Sequence, residues 1–462
     1  MALNQKKILI VGGLAAGPSA AAKAKRTNPN ADITLFEATD TVSYAICEAP
    51  FAVGGVIDDE KKLVIFSPEK LQEEKGITVK TLHNVDKILT GDHKIIVRDL
   101  RSHRMVEFEY DKLIIASGAA PRRLNIDGEN GRNVFHIKTR EDTLNIITCL
   151  QTERPKQAVI IGAGYVGLEM AEAFRSRGID VTLVDRISHP LEGFEQETRE
   201  QVLRELLDND VHFVPFTTVD AFQQDNTGKV CHVITNRGSF ECDIVILSLD
   251  VEPNVNLAKE AKIRIGSTGA IVTDERQQTN IDDIYAAGDC CEVKNIVSGK
   301  PMYIPMATIA SRTGSVAGEN AAGGRAVFKG AIRAGAVKLF GLEIAQVGLG
   351  SEEARQYGFQ VISEIVTSTT KVSMMPASEK IIIKLIVDRR TQKLLGANLI
   401  GRSGCVSRAN ILGVAIQHNM TVDDISRFDL IYSPPVSPLW DPILLAVNKA
   451  KKNLNLNPKL KI

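Results

Sequence analysis

One tryptophan and seven cysteines are spread over 462 residues, a composition that excludes a disulfide-stapled secreted scaffold, a collagen-like fibre and a disordered chain. No two cysteines form a C-x-x-C pair and none sits among histidines at zinc-like spacing, so no metal site is expected. Cys290 and Cys291 are neighbours. A disulfide between adjacent residues is strained, so free thiols are expected there, and most of the cysteines should be small buried hydrophobes. Net charge is missing too: 56 Lys+Arg balance 56 Asp+Glu, which argues against a nucleic-acid or anionic-membrane binder driven by bulk charge. No uninterrupted apolar stretch approaches the ~20 residues of a membrane span. The first apolar run, Ile8 to Val11, stops at Gly12-Gly13, short of the roughly 7–15 residues of a secretory signal. It reads as a first β-strand, and the expected compartment is the cytoplasm. Lys449 to Ile462 is basic and polar and reads as a solvated tail.

What is present is length for about three domains and an internal near-duplication. The first copy is KILIVGGLAAGPSAAAKAKRTNPNADITLFEA and the second AVIIGAGYVGLEMAEAFRSRGIDVTLVDR. Each runs apolar strand, glycine turn, Ala-rich helix, polar loop, second strand, acid, which is the βαβ dinucleotide fingerprint. The second copy is complete at Gly162, Gly164 and Gly167. The first two glycines let the backbone turn tightly and approach a pyrophosphate, the third lets helix and strand pack closely, and the helix N-terminus offers unpaired N–H groups to the phosphates. Asp185 closes the second strand about 20 residues on, where a carboxylate accepts ribose hydroxyls and repels a 2′-phosphate. That favours NADH; Arg186 softens the preference, so NADPH stays open. The first copy has Gly12 and Gly17 but Leu14 between them, and Glu37 at the end of its second strand restores the match. For each copy the plain alternative is a βαβ unit with no nucleotide, and two copies mean two dinucleotides or one bound twice.

The stretch SYAICEAPFAVGG around Cys47 resembles the active-site segment of the single-cysteine branch of the pyridine nucleotide–disulfide oxidoreductases, and the resemblance covers essentially the whole chain. That branch includes coenzyme A-disulfide reductase, NADH-dependent persulfide or polysulfide reductases, NADH oxidase and NADH peroxidase. TNIDDIYAAGDCCEV, with Asp289, looks like the family's second FAD signature, and LIIASGAAPRRLNIDG like the crossover returning from its FAD domain. The resemblance implies an α/β fold with two Rossmann-like nucleotide-binding domains and a C-terminal α+β dimerisation domain. Residues 1–117 and 253–328 would bind FAD, 118–252 NAD(P)H, and 329–462 would form the interface of a homodimer. Matched by motif, Gly12, Gly13, Ala15, Ala16, Gly17, Glu37, Ser117, Gly118, Gly288, Asp289, Ala307 and Thr308 would hold FAD. Gly162, Gly164, Tyr165, Gly167, Asp185 and Arg186 would hold NADH or NADPH.

Cys47 matches the redox cysteine, and Tyr432, in FDLIYSPPVSPLWDPI, the tyrosine that reaches the partner's cysteine. The implied activity is FAD-dependent reduction of a coenzyme A disulfide, persulfide or polysulfide by NAD(P)H, with no nucleic-acid or membrane partner. Lys23, Arg26 and Ser43 carry over as coenzyme A contacts, the two cations suiting its phosphates. A thiolate needs a lowered pKa to act at neutral pH; with acidic Glu48 beside it, Cys47 would draw this from a helix terminus or the flavin environment. Several positions depart from the family. Ala15 stands where the oxidases and peroxidases carry His, Glu48 where Gly is common, Ile46 for Asn, and Met374-Met375-Pro376 for a Tyr-Tyr-Pro element. Asp250 and Glu252 place acids in the NAD-domain exit, beside the expected nicotinamide. No rhodanese-like domain is expected to follow, so persulfide sulfur would arrive from solution or another protein. Two other readings stand: an NADH oxidase reducing O2, and an electron-transfer or redox-sensing flavoprotein with a protein partner.

Overall fold

The computed structural model describes residues 6–455. Two of its sheets follow one design. In the first, Lys7–Val11 is central, with Asp32–Phe36 and then Thr78–Lys80 on one side and Lys112–Ile115 and then Ile284–Ala286 on the other, all parallel. In the second, Gln157–Ile161 is central, with Asp180–Val184 and Val211–Val214 on one side and Ile244–Leu247 and Val134–His136 on the other. The registers coincide: Val11 faces Phe36 as Ile161 faces Val184. Each acid, Glu37 or Asp185, therefore follows directly on its strand end. Both central strands are buried beyond their first residue, as a parallel sheet covered on both faces requires. Each unit also carries a three-stranded antiparallel meander, between Thr78–Lys80 and Lys112–Ile115 in the first and between Val211–Val214 and Ile244–Leu247 in the second. These are His83–Leu89, Lys94–Asp99 and Met105–Glu109 in one, and Val219–Gln224, Val230–Thr235 and Gly238–Glu241 in the other. The duplication thus extends beyond the fingerprint. An antiparallel ribbon, Ala119–Pro121 against Val251–Pro253, joins the two units.

The third unit is an antiparallel sheet in the order Ala334–Leu339, Leu342–Gly348, Leu394–Gly401, Lys380–Asp388, Val361–Thr369. Helix Cys405–Gln417 covers Leu342–Gly348 and Leu394–Gly401, and helix Pro442–Asn455 covers Lys380–Asp388 and Val361–Thr369. Two expectations need correcting. VISEIVTSTTKVSM reads as one strand running to Met374, but the strand beginning at Val361 ends at Thr369, and Met374 and Met375 lie in the turn after it, Met374 being 85% exposed. Lys449 does not open a solvated tail: it lies in the helix Pro442–Asn455, whose Ile443, Ala446, Val447 and Ala450 are buried at helical spacing. The rest of that segment, 456–462, lies outside the described residues. Among the described residues no helix is long and apolar enough to cross a membrane.

Helix Ala16–Thr27, which follows the first central strand, crosses helix Ala307–Ala321 at backbone contact. A Cβ on Gly314 would sit 2.3 Å from the Ala16 carbonyl oxygen, and one on Gly318 2.1 Å from that of Ala20. Backbone cannot yield as a flexible side chain does. Gly318→Ala should therefore destabilise the protein by about 1–3 kcal/mol and loosen its hold on the FAD that the resemblance implies. Thermal melting and the ratio of flavin to protein absorbance after gel filtration check this; an unshifted melt would contradict the close crossing.

Candidate functional site

The two glycine turns superpose in their contacts. Gly12 and Gly162 both have φ of 103°. A Cβ on Gly12 would lie 2.1 Å from the Ala116 carbonyl oxygen, and one on Gly162 2.3 Å from that of Ser248. Gly17 and Gly167 press on the carbonyls of Gly12 and Gly162, where a Cβ would come within 1.8 and 1.9 Å. The acids clamp the turns from the other side. Gly13 N–H donates to Glu37 Oε2 at 2.7 Å, and Ala163 N–H to Asp185 Oδ2 at 2.6 Å. Thr39 holds the second Glu37 oxygen through its N–H and hydroxyl. The middle position differs: Gly164 is exposed with open space where a Cβ would be, whereas Leu14 occupies it in the first turn.

A third cluster closes over the first turn. Gly288, at φ 83°, packs where a Cβ would come 2.8 Å from the Ala16 methyl, and its N–H donates to Thr313 Oγ1 at 3.0 Å. The next residue, Asp289, is partly buried, and burial raises its pKa while Lys138, 3.5 Å away, lowers it. Tyr303 has a buried hydroxyl with no hydrogen-bond partner, whose pKa is raised by burial and then by the charge of Asp289. Ala307 and Thr308 are exposed at the start of their helix. Ser117 is spent on structure, its hydroxyl donating to the Asn254 carbonyl at 2.7 Å, while Gly118, at φ 67°, has open space beside it. The helices starting at Ala16, Tyr165 and Ala307 have no side-chain cap and no acid in the first turn. Their free N–H groups suit phosphate or a polarised carbonyl. Glycines that leave a cradle, unpaired N–H groups and an orphaned hydroxyl fit a dinucleotide at each turn.

Cys47 sits between the two units. It lies in the single turn Ile46–Glu48, which leads into helix Ala49–Gly54, and that helix packs on Tyr165–Arg175 of the second unit. Gly54 allows the contact, since a Cβ there would be 3.3 Å from Ala173 Cα, and Arg177 Nε donates to the Val53 carbonyl. Cys47 is the one exposed cysteine; Cys231 is half-buried, the other five are buried, and all seven are free thiols. The expected lowering of its pKa is not what the protein's groups produce. Although the residue is exposed, desolvation by the surrounding protein raises it, and Glu48, Glu169 and Asp289 add to the rise, against Lys138. Glu169 and Lys138 escaped the sequence reading. Glu169 lies four residues after Tyr165 on one helix face, where burial and then Glu172 push its pKa up to about 7. Two acids three residues apart, Glu169 and Glu172, on one face of a helix rich in apolar residues were the available signal; for Lys138, which precedes the Thr139 cap of helix Arg140–Thr152, there was none.

The remaining sequence candidates are dispersed. Lys23 pairs with Glu319 at 2.8 Å. Arg26 is exposed near the C-terminus of its helix, and Ser43 is buried at φ 49° with its N–H donating to the Gly13 carbonyl at 2.7 Å. Glu252 pairs with Arg122 at 3.1 Å, so its charge is already met by a cation. Tyr432 is 49% exposed, among Ile431, Val436, Leu439 and Trp440 on an apolar segment. Arg186 is exposed beside Asp185. Among the described residues no group of His, Cys, Asp and Glu could hold a metal ion.

Comparison with known proteins accords with this geometry. The model of the pyridine nucleotide-disulphide oxidoreductases matches residues 6–314, and that of their dimerisation domain matches 335–442. The NAD(P)H sulfur oxidoreductase (CoA-dependent) of Pyrococcus furiosus is 35% identical over 453 residues, covering 97% of this chain and 100% of that protein. An NADH oxidase of Enterococcus faecalis is 32% identical over 449 residues, covering 97% and 100%. Among solved structures, an NAD-dependent persulfide reductase from A. fulgidus has a TM-score of 0.94 at 32% identity, covering 97% of this chain and 83% of its own.

The raised pKa of Glu169 has a consequence for stability. Its folded value, about 7, lies above its ordinary 4.5, so the folded state binds a proton more tightly than the unfolded one. The resulting penalty on folding is absent below the ordinary value, grows between the two and is complete above about 7. Glu169→Gln should therefore raise the thermal midpoint at pH 8 and leave it unchanged near pH 4. Equal gains at both pH values would contradict the buried carboxyl.

Proposed function

The chain belongs to the pyridine nucleotide–disulphide oxidoreductase family, which uses FAD and NAD(P)H, and from that premise we propose that it reduces a coenzyme A disulfide, persulfide or polysulfide through Cys47. The observation that carries this reading is the place of that thiol. It is exposed, it stands where the two nucleotide units meet, and the charges felt by its sulfur come from both: Asp289 from the first, Glu169 from the second. The Gly12 turn, Glu37, Asp289 and the start of helix Ala307–Ala321 would hold FAD. The Gly162 turn and Asp185 would hold NADH, with NADPH as the second donor. FAD, when bound, supplies the two-electron chemistry that links NAD(P)H to sulfur.

The protein's own contribution is sulfur and proton chemistry. The Cys47 sulfur attacks the acceptor's S–S bond, forming a mixed disulfide or persulfide on Cys47 and releasing the other half as thiol or sulfide. Lys138 is the cation that favours the charged sulfur. In the homodimer, Tyr432 of the partner subunit would orient or protonate the leaving sulfur. Arg26, exposed, is the free cation among the coenzyme A contacts carried over, since Lys23 is held by Glu319. Two sulfur-reducing relatives, one named as CoA-dependent, support a sulfur acceptor. The relative named NADH oxidase favours O2 as the second reading, against which stands Ala15, a side chain with no donor for a peroxide.

Cys47→Ser should keep FAD and its reduction by NADH yet lose turnover coupled to coenzyme A disulfide or polysulfide. Turnover unchanged with either acceptor would refute the role of the sulfur. NADH consumption matched by rapid oxygen uptake in the unaltered protein would favour the oxidase.

A further inference from the structure

Phe216 is unexplained by anything above. It follows strand Val211–Val214 with φ of 53°, a left-handed conformation that glycine adopts freely and a bulky residue rarely does. The residue is 53% exposed. A strained backbone bearing an exposed aromatic points to a functional demand on that side chain. The strand is the neighbour of Asp180–Val184, and the loop is laced to the chain just beyond Asp185. Phe216 N–H donates to the Ile187 carbonyl at 3.2 Å, and Thr217 N–H to the Asp185 carbonyl at 2.8 Å. The meander closes the other side. Asn236, in the turn between Val230–Thr235 and Gly238–Glu241, accepts from Thr218 N–H at 3.0 Å and donates to the Phe216 carbonyl at 3.2 Å. The next residue, Arg237, is exposed and sets its guanidinium over the Phe216 ring, 6.0 Å from the centroid. An exposed ring and a cation thus stand together beside the acid that closes the second fingerprint, at the carboxyl ends of the strands, where the adenosine half of a dinucleotide lies.

We propose that Phe216 and Arg237 form the adenosine end of the pyridine-nucleotide site. The ring is a stacking surface for adenine, and the guanidinium is the cation that admits a 2′-phosphate despite Asp185, so that the chain accepts NADPH as well as NADH. This rests on the reading of Gly162–Gly167 and Asp185 as the pyridine-nucleotide site. A planar guanidinium over an aromatic face can stack and bind a phosphate oxygen at once.

The test is anaerobic reduction of the FAD in the holoenzyme by NADH and by NADPH, with no sulfur acceptor, so that the result is independent of Cys47. Apparent affinities come from the concentration dependence, and competition by 2′,5′-ADP and by ADP supplies a second readout. Phe216→Gly suits the left-handed backbone, so its thermal midpoint should not fall while the affinity for both nucleotides drops about tenfold. Arg237→Ser should weaken NADPH and 2′,5′-ADP by about tenfold or more while NADH and ADP change by less than about threefold. Unchanged affinities in Phe216→Gly would overturn the stacking surface. An unchanged NADPH-to-NADH ratio in Arg237→Ser would overturn the phosphate role. Asp185→Ala separates the two levels: if it too leaves nucleotide use unaltered, the site reading itself fails, whereas an effect of Asp185 with none of Phe216 and Arg237 overturns only the present proposal.

Discussion

A carbonyl oxygen pressed against the glycine that opens each turn is the contact on which the rest depends. It joins Ala116 to Gly12 and Ser248 to Gly162, at separations that leave no room for a Cβ. Each contact pins the turn after the central strand to the end of its neighbour, Lys112–Ile115 or Ile244–Leu247, at the point where the sheet order reverses and a parallel α/β sheet opens its ligand crevice. With the turn pinned, the helix that follows must start over the sheet's edge with its N–H groups facing outward. The acid closing the second strand then meets the N–H of Gly13 or Ala163. The acids are thus structural members of the turn before they are ribose ligands, and only a portion of each carboxylate is left for a nucleotide.

Cys47 depends on this frame at one remove. Its helix is held by the helix that the second turn launches, through the Gly54–Ala173 approach and the Arg177 bond to Val53. The placement exposes the sulfur but surrounds it with carboxyls: Glu48, Glu169 and Asp289 oppose ionisation, and Lys138, the cation that counters them, is shared with Asp289. Access and position, rather than a thiolate stabilised by the local charges, are what the protein alone contributes to reactivity. The carboxyl of Glu169 is itself pushed up to about 7, by burial and then by Glu172.

The features of this arrangement that were legible in the sequence are those set by short-range pattern. Apolar runs ended by glycine located both central strands, and glycine spacing located both turns, because a steric demand for the absence of a Cβ leaves a residue-level mark. Cys47 was legible through its flanking segment. Charges brought together by tertiary packing left no such mark: Lys138 and Asp289 lie far apart in the chain, and the pairings of Lys23 with Glu319 and Glu252 with Arg122 altered the meaning of residues that looked free. The meanders were missed as a duplicated feature because their strands share a fold position and no motif. The end of the strand at Thr369 and the continuation of helix Pro442–Asn455 through the basic segment were decided by what those stretches pack against, which composition does not record.

The two sites share a frame and differ in enclosure. Over the first turn, Gly288 meets the Ala16 methyl, helix Ala307–Ala321 crosses at backbone contact, and Leu14 fills the middle position. Over the second, Gly164, Tyr165 and Val166 are all exposed, and nothing lies near the missing Cβ of Gly164. The first turn thus lies against a pair of helices that the glycines at their crossing make hard to separate. A nucleotide on the second turn meets open solvent. Walls of that kind suit a resident group at the first site and an exchanging donor at the second, the division of labour that a family using FAD and NAD(P)H together requires. The difference rests less on the fingerprints, which are nearly alike, than on the small-residue helix that returns late in the chain to roof only one of them.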